Sequence, residues 1–330
     1  MTYNLFGSVS RRALALMLLL PLSEQGGAAE NPIQPETIAR PADFGETKSL
    51  RVEADGKEGK ITYYTVKGQA VAEGDIVLGT VDEVALIDLL FGADFDKMAA
   101  EKEAGNGALD NDGGGDVSAR LTREIAPRAV AIKAFYGGRA RRWPGGIVPY
   151  EIAGNLPSPE RVSAAIEHWQ AVTPIRFEQR TAANANKYPN YVRFVGENNL
   201  IDGGCSSHVG MRGGRQDITI DSVCSLGNVI HEIGHAVGLQ HEQTRSDRDK
   251  YVFVNWSNIH KSLWGNFQIN TKENSDIGGY EYASLMHYPR HAFAIDPSID
   301  TITPLHGGME IGQRDSLSSG DIAAVNRLYK

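Results

Sequence analysis

The clearest periodic segment of the chain is SPERVSAAIEHWQAV, in which Val162, Ile166 and Trp169 recur at helical spacing with polar residues between them. Ser158 reads as its N-cap, Pro159 as its first helical residue and Glu160 as an acid in the first turn. His168 lies beside the apolar stripe and reads as a surface or satisfied histidine. The period shortens in WPGGIVPYEI, a turn leading into a strand, and in IRFEQR, YVRFVG and DITID, which read as strands. Upstream, ITYYTVKGQAVAEGDIVLG is rich in β-branched and aromatic residues punctuated by Gly68 and Gly74, and predicts short strands joined by turns. VDEVALIDLLFG follows with Val84, Ile87 and Leu90 or Phe91 at helix-like spacing. Residues 30 to about 60 are rich in Pro, Glu, Gly and Lys, show no clear period, and read as extended or poorly ordered. GNGALDNDGGGD, residues 105–116, reads as a flexible linker or long surface loop; Gly114 stands where an EF-hand needs its third ligand. No internal repeat is visible, and the pattern is that of a small N-terminal region followed by one α+β domain of about 190 residues.

Composition narrows the setting. With 330 residues, 41% hydrophobic and 22% charged, the chain can bury a proper core in one large domain or two ordinary ones. A formal charge of −8 disfavours nucleic acid as a partner, because phosphate binding needs clustered Lys and Arg. Arg11 and Arg12 precede an apolar run over 13–20, then Pro21 and the small residues of GGAAE, the pattern of a secretory signal cleaved near Ala29. SRRALAL also partly matches a twin-arginine signal. That run is too short to span a bilayer and no later one is long enough, so export without stable membrane insertion is expected. In an exported chain the isolated pair Cys205 and Cys224 is expected to form a disulfide. By the loop-entropy argument it contributes on the order of 3 kcal/mol.

The chemistry concentrates in NVIHEIGHAVGLQHE. His231 and His235 stand four apart, so on a helix both imidazoles project from one face, an arrangement that suits Zn²⁺. Glu232 is turned about 100° around the axis, unable to share that face easily as a ligand but able to reach a metal-held water. Gly238 permits the left-handed conformation that ends a helix, and the reversal brings His241 round as a third ligand. These histidines leave the cysteines no part in the metal site. H-E-x-x-H alone is a weak signal; the long form with the glycine and third histidine is the pattern of metzincin zinc peptidases.

The match extends further. HEIGHAVGLQHEQTRSDRD resembles the signature of the astacin family of zinc metallopeptidases, in which Glu and an Arg/Asp-rich run follow the third histidine. SLMHY, residues 284–288, resembles that family's Met-turn; TITPL and IGQRDSLSSGDIAAVNRLY resemble the end of its catalytic domain, and WPGGIVPY its start. Over about residues 134–330 the chain is identified as a member, of a bacterial-type single-disulfide form. The resemblance implies an α+β, metzincin-type two-lobed catalytic domain. Its N-terminal lobe would hold a twisted mixed sheet and long helices, its C-terminal lobe would be mostly irregular, and a small pro-region would precede both. It implies one catalytic Zn²⁺ on His231, His235 and His241. Tyr288 is the implied extra ligand, swinging away to hold the oxyanion, and Met286 is a packing floor. The implied reaction is hydrolysis of peptide bonds in proteins: zinc-bound water attacks the scissile carbonyl with Glu232 as general base and then proton donor. Glu242 matches the glutamate that receives the new N-terminus of the mature chain, since a buried carboxylate wants a cationic partner. Protein or peptide substrates would pair with an edge strand holding Cys205, Ser206 and Ser207. Ser206 and His208 replace aromatic residues common there, which leaves subsite preference open. Cys205 and Cys224 match the shorter of the family's two usual bridges. The longer is missing at both ends, with Pro174 at one position and the chain stopping at Lys330 before the other.

In the same family a pro-segment aspartate, within a pattern resembling F-x-G-D, binds the zinc and keeps the enzyme latent. VAEGDIVLG supplies Asp75 for that role, with Ala72 where the Phe would stand and Gly74 allowing close approach. Asp94, at the end of FGAD, is the competing candidate. The expected organisation is a signal at 1–29, a pro-region at 30–133 and a catalytic domain at 134–330, the activation cut falling between 133 and 142. Lys133 precedes the mature start implied by the family, and RARR at 139–142 is another basic site for an activating protease, trypsin-like or the enzyme itself. The product is expected to be secreted or periplasmic, with no accessory binding modules. The alternative is a catalytically silent zinc-containing scaffold that binds peptides or matrix proteins; the presence of Glu232 and Tyr288 together counts against it.

Overall fold

The computed structural model describes residues 47–54, 57–66, 68–85, 142–196, 204–269 and 276–330. The expected signal, the 105–116 loop, Asp94, Lys133 and residues 139–141 lie outside these. The N-terminal region is an antiparallel meander of β1 (Thr47–Ala54), β2 (Lys57–Val66), β3 (Gln69–Ala72) and β4 (Ile76–Thr80). Gly68 and Gly74 turn between the later strands at φ 83° and 84°, a conformation that glycine adopts without cost. The pairing of β1 with β2 shows strand structure inside the stretch up to about residue 60 that read as extended or poorly ordered with no clear period. Leu50, Val52 and Ala54 alternate with charged residues and lead into Asp55-Gly56, a strong two-residue hairpin signal masked by the charge around it. Residues 81–85 are helical, and the rest of the helix expected there lies outside the described residues.

The next unit is a five-stranded sheet in the order β6-β5-β7-β9-β8. It comprises β5 (Ile147–Ile152), β6 (Arg176–Gln179), β7 (Tyr191–Val195), β8 (Cys205–Ser206) and β9 (Arg215–Ile220). All neighbours pair in parallel except β8 with β9, so the sheet is mixed and the short β8 forms one edge. Helix α1 (Glu160–Val172) buries Val162, Ala165, Ile166 and Trp169 as its stripe predicts. Its start differs from the expectation. Ser158 sits at φ 52° instead of the extended conformation an N-cap adopts, and the helix begins from Pro159 (φ −64°) with no side-chain cap. His168 accepts a hydrogen bond from the Leu317 N–H at 3.2 Å, a satisfied histidine. Helix α2 (Leu226–Val237) lies against α1 and the sheet, and the Cys205–Cys224 disulfide ties β8 to the chain entering it.

Beyond α2 the chain is mostly irregular: 3-10 turns, the paired β10 (Val252–Val254) and β11 (Ile302–Pro304), and helix α3 (Ser319–Leu328). Two cores result. One joins Trp143, Trp169, Phe194 and Ile218 to the buried face of α2. The other joins Val252, Leu263, Phe267 and Tyr288 of the irregular lobe to Tyr64, Val66 and Val71 of the N-terminal strands. The two-lobed α+β architecture expected from the sequence is therefore present, with the N-terminal meander built into the second core. No helix among the described residues is long and apolar enough to cross a membrane.

Candidate metal centre and active site

Helix α2 is locally well specified. Ser225 and Asn228 cap its start reciprocally, at 3.2 and 2.9 Å. Gly238 ends it in the left-handed region at φ 113°, its N–H returning to the carbonyls of Gly234 and His235. Residues Val229 to Val237 are all buried, so the helix carries its two histidines through the interior between the lobes. The reversal after Gly238 delivers His241 to the same place.

Each imidazole is oriented by its Nδ1. That of His231 faces the Leu285 carbonyl at 2.9 Å, that of His235 the Leu239 carbonyl at 2.9 Å, and that of His241 the Glu73 carboxylate at 3.0 Å. With Nδ1 facing an acceptor, a neutral imidazole keeps its proton there and offers its Nε2 lone pair to a metal. The three Nε2 atoms converge on Asp75, whose oxygens lie 3.4 Å from His231, 3.7 Å from His235 and 3.3 Å from His241. All four ligand atoms fall within 4.8 Å of one another. The Nε2 atoms and Asp75 Oδ1 are buried without a hydrogen-bond partner. Bonds of about 2.0–2.1 Å in a tetrahedron put ligand atoms roughly 3.3 Å apart, so this set fits a zinc ion. Burial, reinforced by Arg314, pushes His231 down to about 3, keeping it neutral as a ligand must be. Burial also acts downward on His241, but Asp75 and then Glu73 outweigh it and raise the group to about 9. Burial alone would raise Asp75; the three histidines outweigh it and hold the carboxyl well below its ordinary value. Two carboxylates around one imidazole make a strong local demand for positive charge, which a divalent cation meets.

Glu232 is buried on α2 beside the first histidine. Tyr288 is also buried, its ring centroid 4.7 Å from that of His241. Its hydroxyl donates to the Glu73 carbonyl, and Asp75 joins the three histidines as the carboxylate of the cluster. Glu73 thus touches both His241 and Tyr288, a position not evident from the sequence; an acid before Gly-Asp was the available signal. Gly74 admits no side chain, since a Cβ there would lie 2.7 Å from the Phe293 ring and 3.0 Å from the Tyr288 hydroxyl. Met286 lies under α2, where a Cβ on Gly234 would come within 2.7 Å of its sulfur. Asp321, the capping-box acid of α3, holds the Met286 turn by accepting from Ser284 Oγ at 2.7 Å and the Leu285 N–H at 2.9 Å. Gln243 fixes the next residue, accepting from the Tyr288 N–H at 3.1 Å. Neither Asp321 nor Gln243 was legible in advance.

The expected edge strand is in place and occupied. The Ser207 N–H donates to the Asp75 carbonyl at 3.1 Å and the Val77 N–H to the Ser207 carbonyl at 3.0 Å, so β4 leaves the metal cluster parallel to the β8 edge. Cys205 is half-buried there, and Ser206 and Ser207 are buried. Glu242 is 14% exposed and accepts from the Glu281 N–H at 2.7 Å, with Arg245 Nε at 3.6 Å. Burial nevertheless pushes it up to about 8. It lines a cavity of about 1000 Å³ together with Arg142, Gly320, Asp321 and Arg327.

A family model described as Astacin, a peptidase family, matches residues 136–330. The chain is 37% identical over 213 residues to the dorsal-ventral patterning protein tolloid of Drosophila melanogaster, covering 62% of this chain and 19% of that protein. It is 32% identical over 354 aligned positions to tolloid-like protein 2 of Mus musculus, covering 96% of this chain and 33% of that one. It therefore spans from about a fifth to a third of the length of these relatives. Among solved structures, high choriolytic enzyme 1, a hatching enzyme zinc-protease from Oryzias latipes, aligns at 36% identity with a TM-score of 0.51, covering 58% of this chain and 93% of that chain.

Proposed function

The chain belongs to the astacin family of zinc metallopeptidases, and on that premise we propose that it is an exported endopeptidase made as a zymogen. The observation that carries this reading is Asp75, set among three buried Nε2 atoms that have no other partner. His231, His235 and His241 are the zinc ligands, and Asp75 is the pro-region plug in the remaining position. Zinc held by the three histidines would supply Lewis acidity and make a water more acidic.

The chain's own residues do the rest. Glu232 accepts a proton from the attacking water and returns it to the leaving amine. Tyr288, once released from the Glu73 carbonyl, would serve as an extra zinc ligand and swing away to donate a hydrogen bond to the oxyanion of the tetrahedral species. Met286 is the floor beneath the ligands. Ser207 and its neighbours Cys205 and Ser206 offer the edge to an extended substrate, the edge that residues 75–77 hold in the latent form. Signal removal near Ala29 and a pro-region running to between 133 and 142 complete the scheme, with a trypsin-like protease or the enzyme itself as activator. Arg142 already lines the cavity that contains Glu242, so a new N-terminus a few residues upstream can enter it and set its ammonium beside that carboxylate.

The test is hydrolysis of casein or a fluorogenic peptide by full-length protein, before and after trypsin, with and without a chelator. Activity is expected only after trypsin and only without chelator. Glu232→Gln should retain zinc and lose about 10²–10⁴-fold in turnover. Zinc-loaded, trypsin-treated protein that cleaves nothing would instead mark a silent peptide-binding scaffold.

A further inference from the structure

Past Ser207 the pro-region strand meets a second set of groups. The Val77 carbonyl lies 2.6 Å from His208 Nδ1, and the Leu78 carbonyl accepts from Arg212 Nη1 at 2.6 Å. Arg212 Nη1 lies 3.0 Å from His208 Nδ1. Arg212 is only 9% exposed, so its charge is held largely out of water. One residue on, a Cβ built on Gly79 would come within 2.8 Å of Glu83 Oε2 and 3.7 Å of Arg212 Nη2. A carboxylate of the pro-region and the guanidinium of the catalytic domain therefore flank one spot.

A cavity of about 460 Å³ opens here, lined by Gln69, Glu83, His208, Arg212, Arg215 and Asp217 among others. Arg215 is already paired with Asp217 at 2.7 Å. Of the charged groups, Glu83 belongs to the pro-region. Its departure leaves two arginines against one aspartate, in a chain whose overall charge is −8. A nearly buried guanidinium that loses a carbonyl and a neighbouring carboxylate has its charge less well compensated. Whatever next occupies the groove is favoured if it restores both, and a carboxylate is the stronger, bidentate-capable partner.

We propose that Arg212, with His208 beside it, forms a subsite that selects an acidic substrate side chain about three or four residues from the scissile bond along the edge strand. The count follows from Asp75 at the metal and Leu78 and Gly79 at the guanidinium. This rests on the reading of β4 as the occupant that substrate replaces. Arg212 here determines specificity and takes no part in bond breaking.

The experiment uses trypsin-activated protein and peptides in which one position at a time, up to five on either side of the cut, is Glu, Gln or Lys. Glu is expected to exceed Gln by about tenfold in kcat/KM at one position three or four residues away, the worth of a charge-assisted hydrogen bond. Arg212→Gln should flatten that position alone, and Arg212→Glu should turn its preference to Lys. Arg212→Lys, which keeps the charge, should retain a reduced preference for Glu and serves if the other variants do not fold. Cleavage with no acidic preference at that distance overturns the inference and leaves the proposed function standing. A preference that survives Arg212→Gln does the same. Absence of cleavage in every peptide overturns the proposed function, and this inference with it.

Discussion

Glu73 engages the two groups that an active centre of this kind must free. Its carboxylate takes the Nδ1 proton side of His241 and its carbonyl takes the Tyr288 hydroxyl, while Asp75 two residues on faces the Nε2 atoms. On the proposed zymogen reading latency has separable parts, and removing the plug alone should be visible. Asp75→Ala in the full-length protein is expected to raise peptide hydrolysis without trypsin by at least about tenfold, since the carboxylate no longer fills the metal's open position. Unchanged latency in that variant would return the role to Asp94 or to the fold as a whole. Asp75 was legible only through the resemblance of VAEGD to the family's pro-segment pattern, with Asp94 as a rival. Glu73 was not: an acid beside a glycine usually faces water, and only the fold shows it against His241.

At the scale of elements, α2 carries the site by being approached closely on every side. Gly227 has no room for a Cβ, which would sit 1.7 Å from the Arg314 carbonyl, and Gly234 faces Met286. A helix-interior Gly→Ala change ordinarily stabilises by about 1 kcal/mol. At Gly234 the new methyl must instead push the Met286 sulfur, so packing wins over propensity. Gly234→Ala is expected to keep the helical circular dichroism and to weaken zinc affinity by about 10–100-fold, as displaced support of ligands does. Titration against a competing chelator measures it, and an unchanged affinity would show that the floor under the ligands tolerates the shift. The helix, its Gly238 stop and its histidine spacing were readable from local pattern. The start of α1 differs because a serine before Pro-Glu looks like a cap, whereas the backbone at Ser158 has a positive φ and no side-chain cap forms.

Over the whole molecule, the ends of the catalytic domain are joined through Tyr329. Its hydroxyl donates to the Val237 carbonyl at 2.8 Å and lies 3.4 Å from the Trp143 N–H, linking the chain's end to the exit of α2 and to the first core tryptophan. Burial pushes the phenol up to about 12 from 10.0, so the fold resists its ionisation. A raised acid stabilises below its unfolded pKa and loses that contribution as pH rises through the folded one. Stability is thus expected to fall between about pH 10 and 12, and Tyr329→Phe should show a shallower fall while costing about 1 kcal/mol at neutral pH. Urea midpoints of the activated domain across that range provide the check; parallel pH profiles would remove Tyr329 from the account. The pro-region acts at this scale too. Tyr64, Val66 and Val71 share the core of the irregular lobe, each contributing about 1.5–3 kcal/mol by burial, so under the proposed zymogen scheme activation would remove part of a core as well as a plug.

Spacing along the chain determined the chemistry by itself: three histidines around a helix stop, a glutamate one step off their face, and an isolated cysteine pair. Those features depend on helical geometry and turn conformation within about a dozen residues, which local sequence specifies. Tertiary structure alone decided which acid meets the histidines, that Glu73 holds Tyr288, that Asp321 anchors the Met286 turn, and that Arg212 waits under β4. These pairings join residues from 36 to more than 200 positions apart. Their free energy comes from burial and exclusion of water at contacts that no local period encodes.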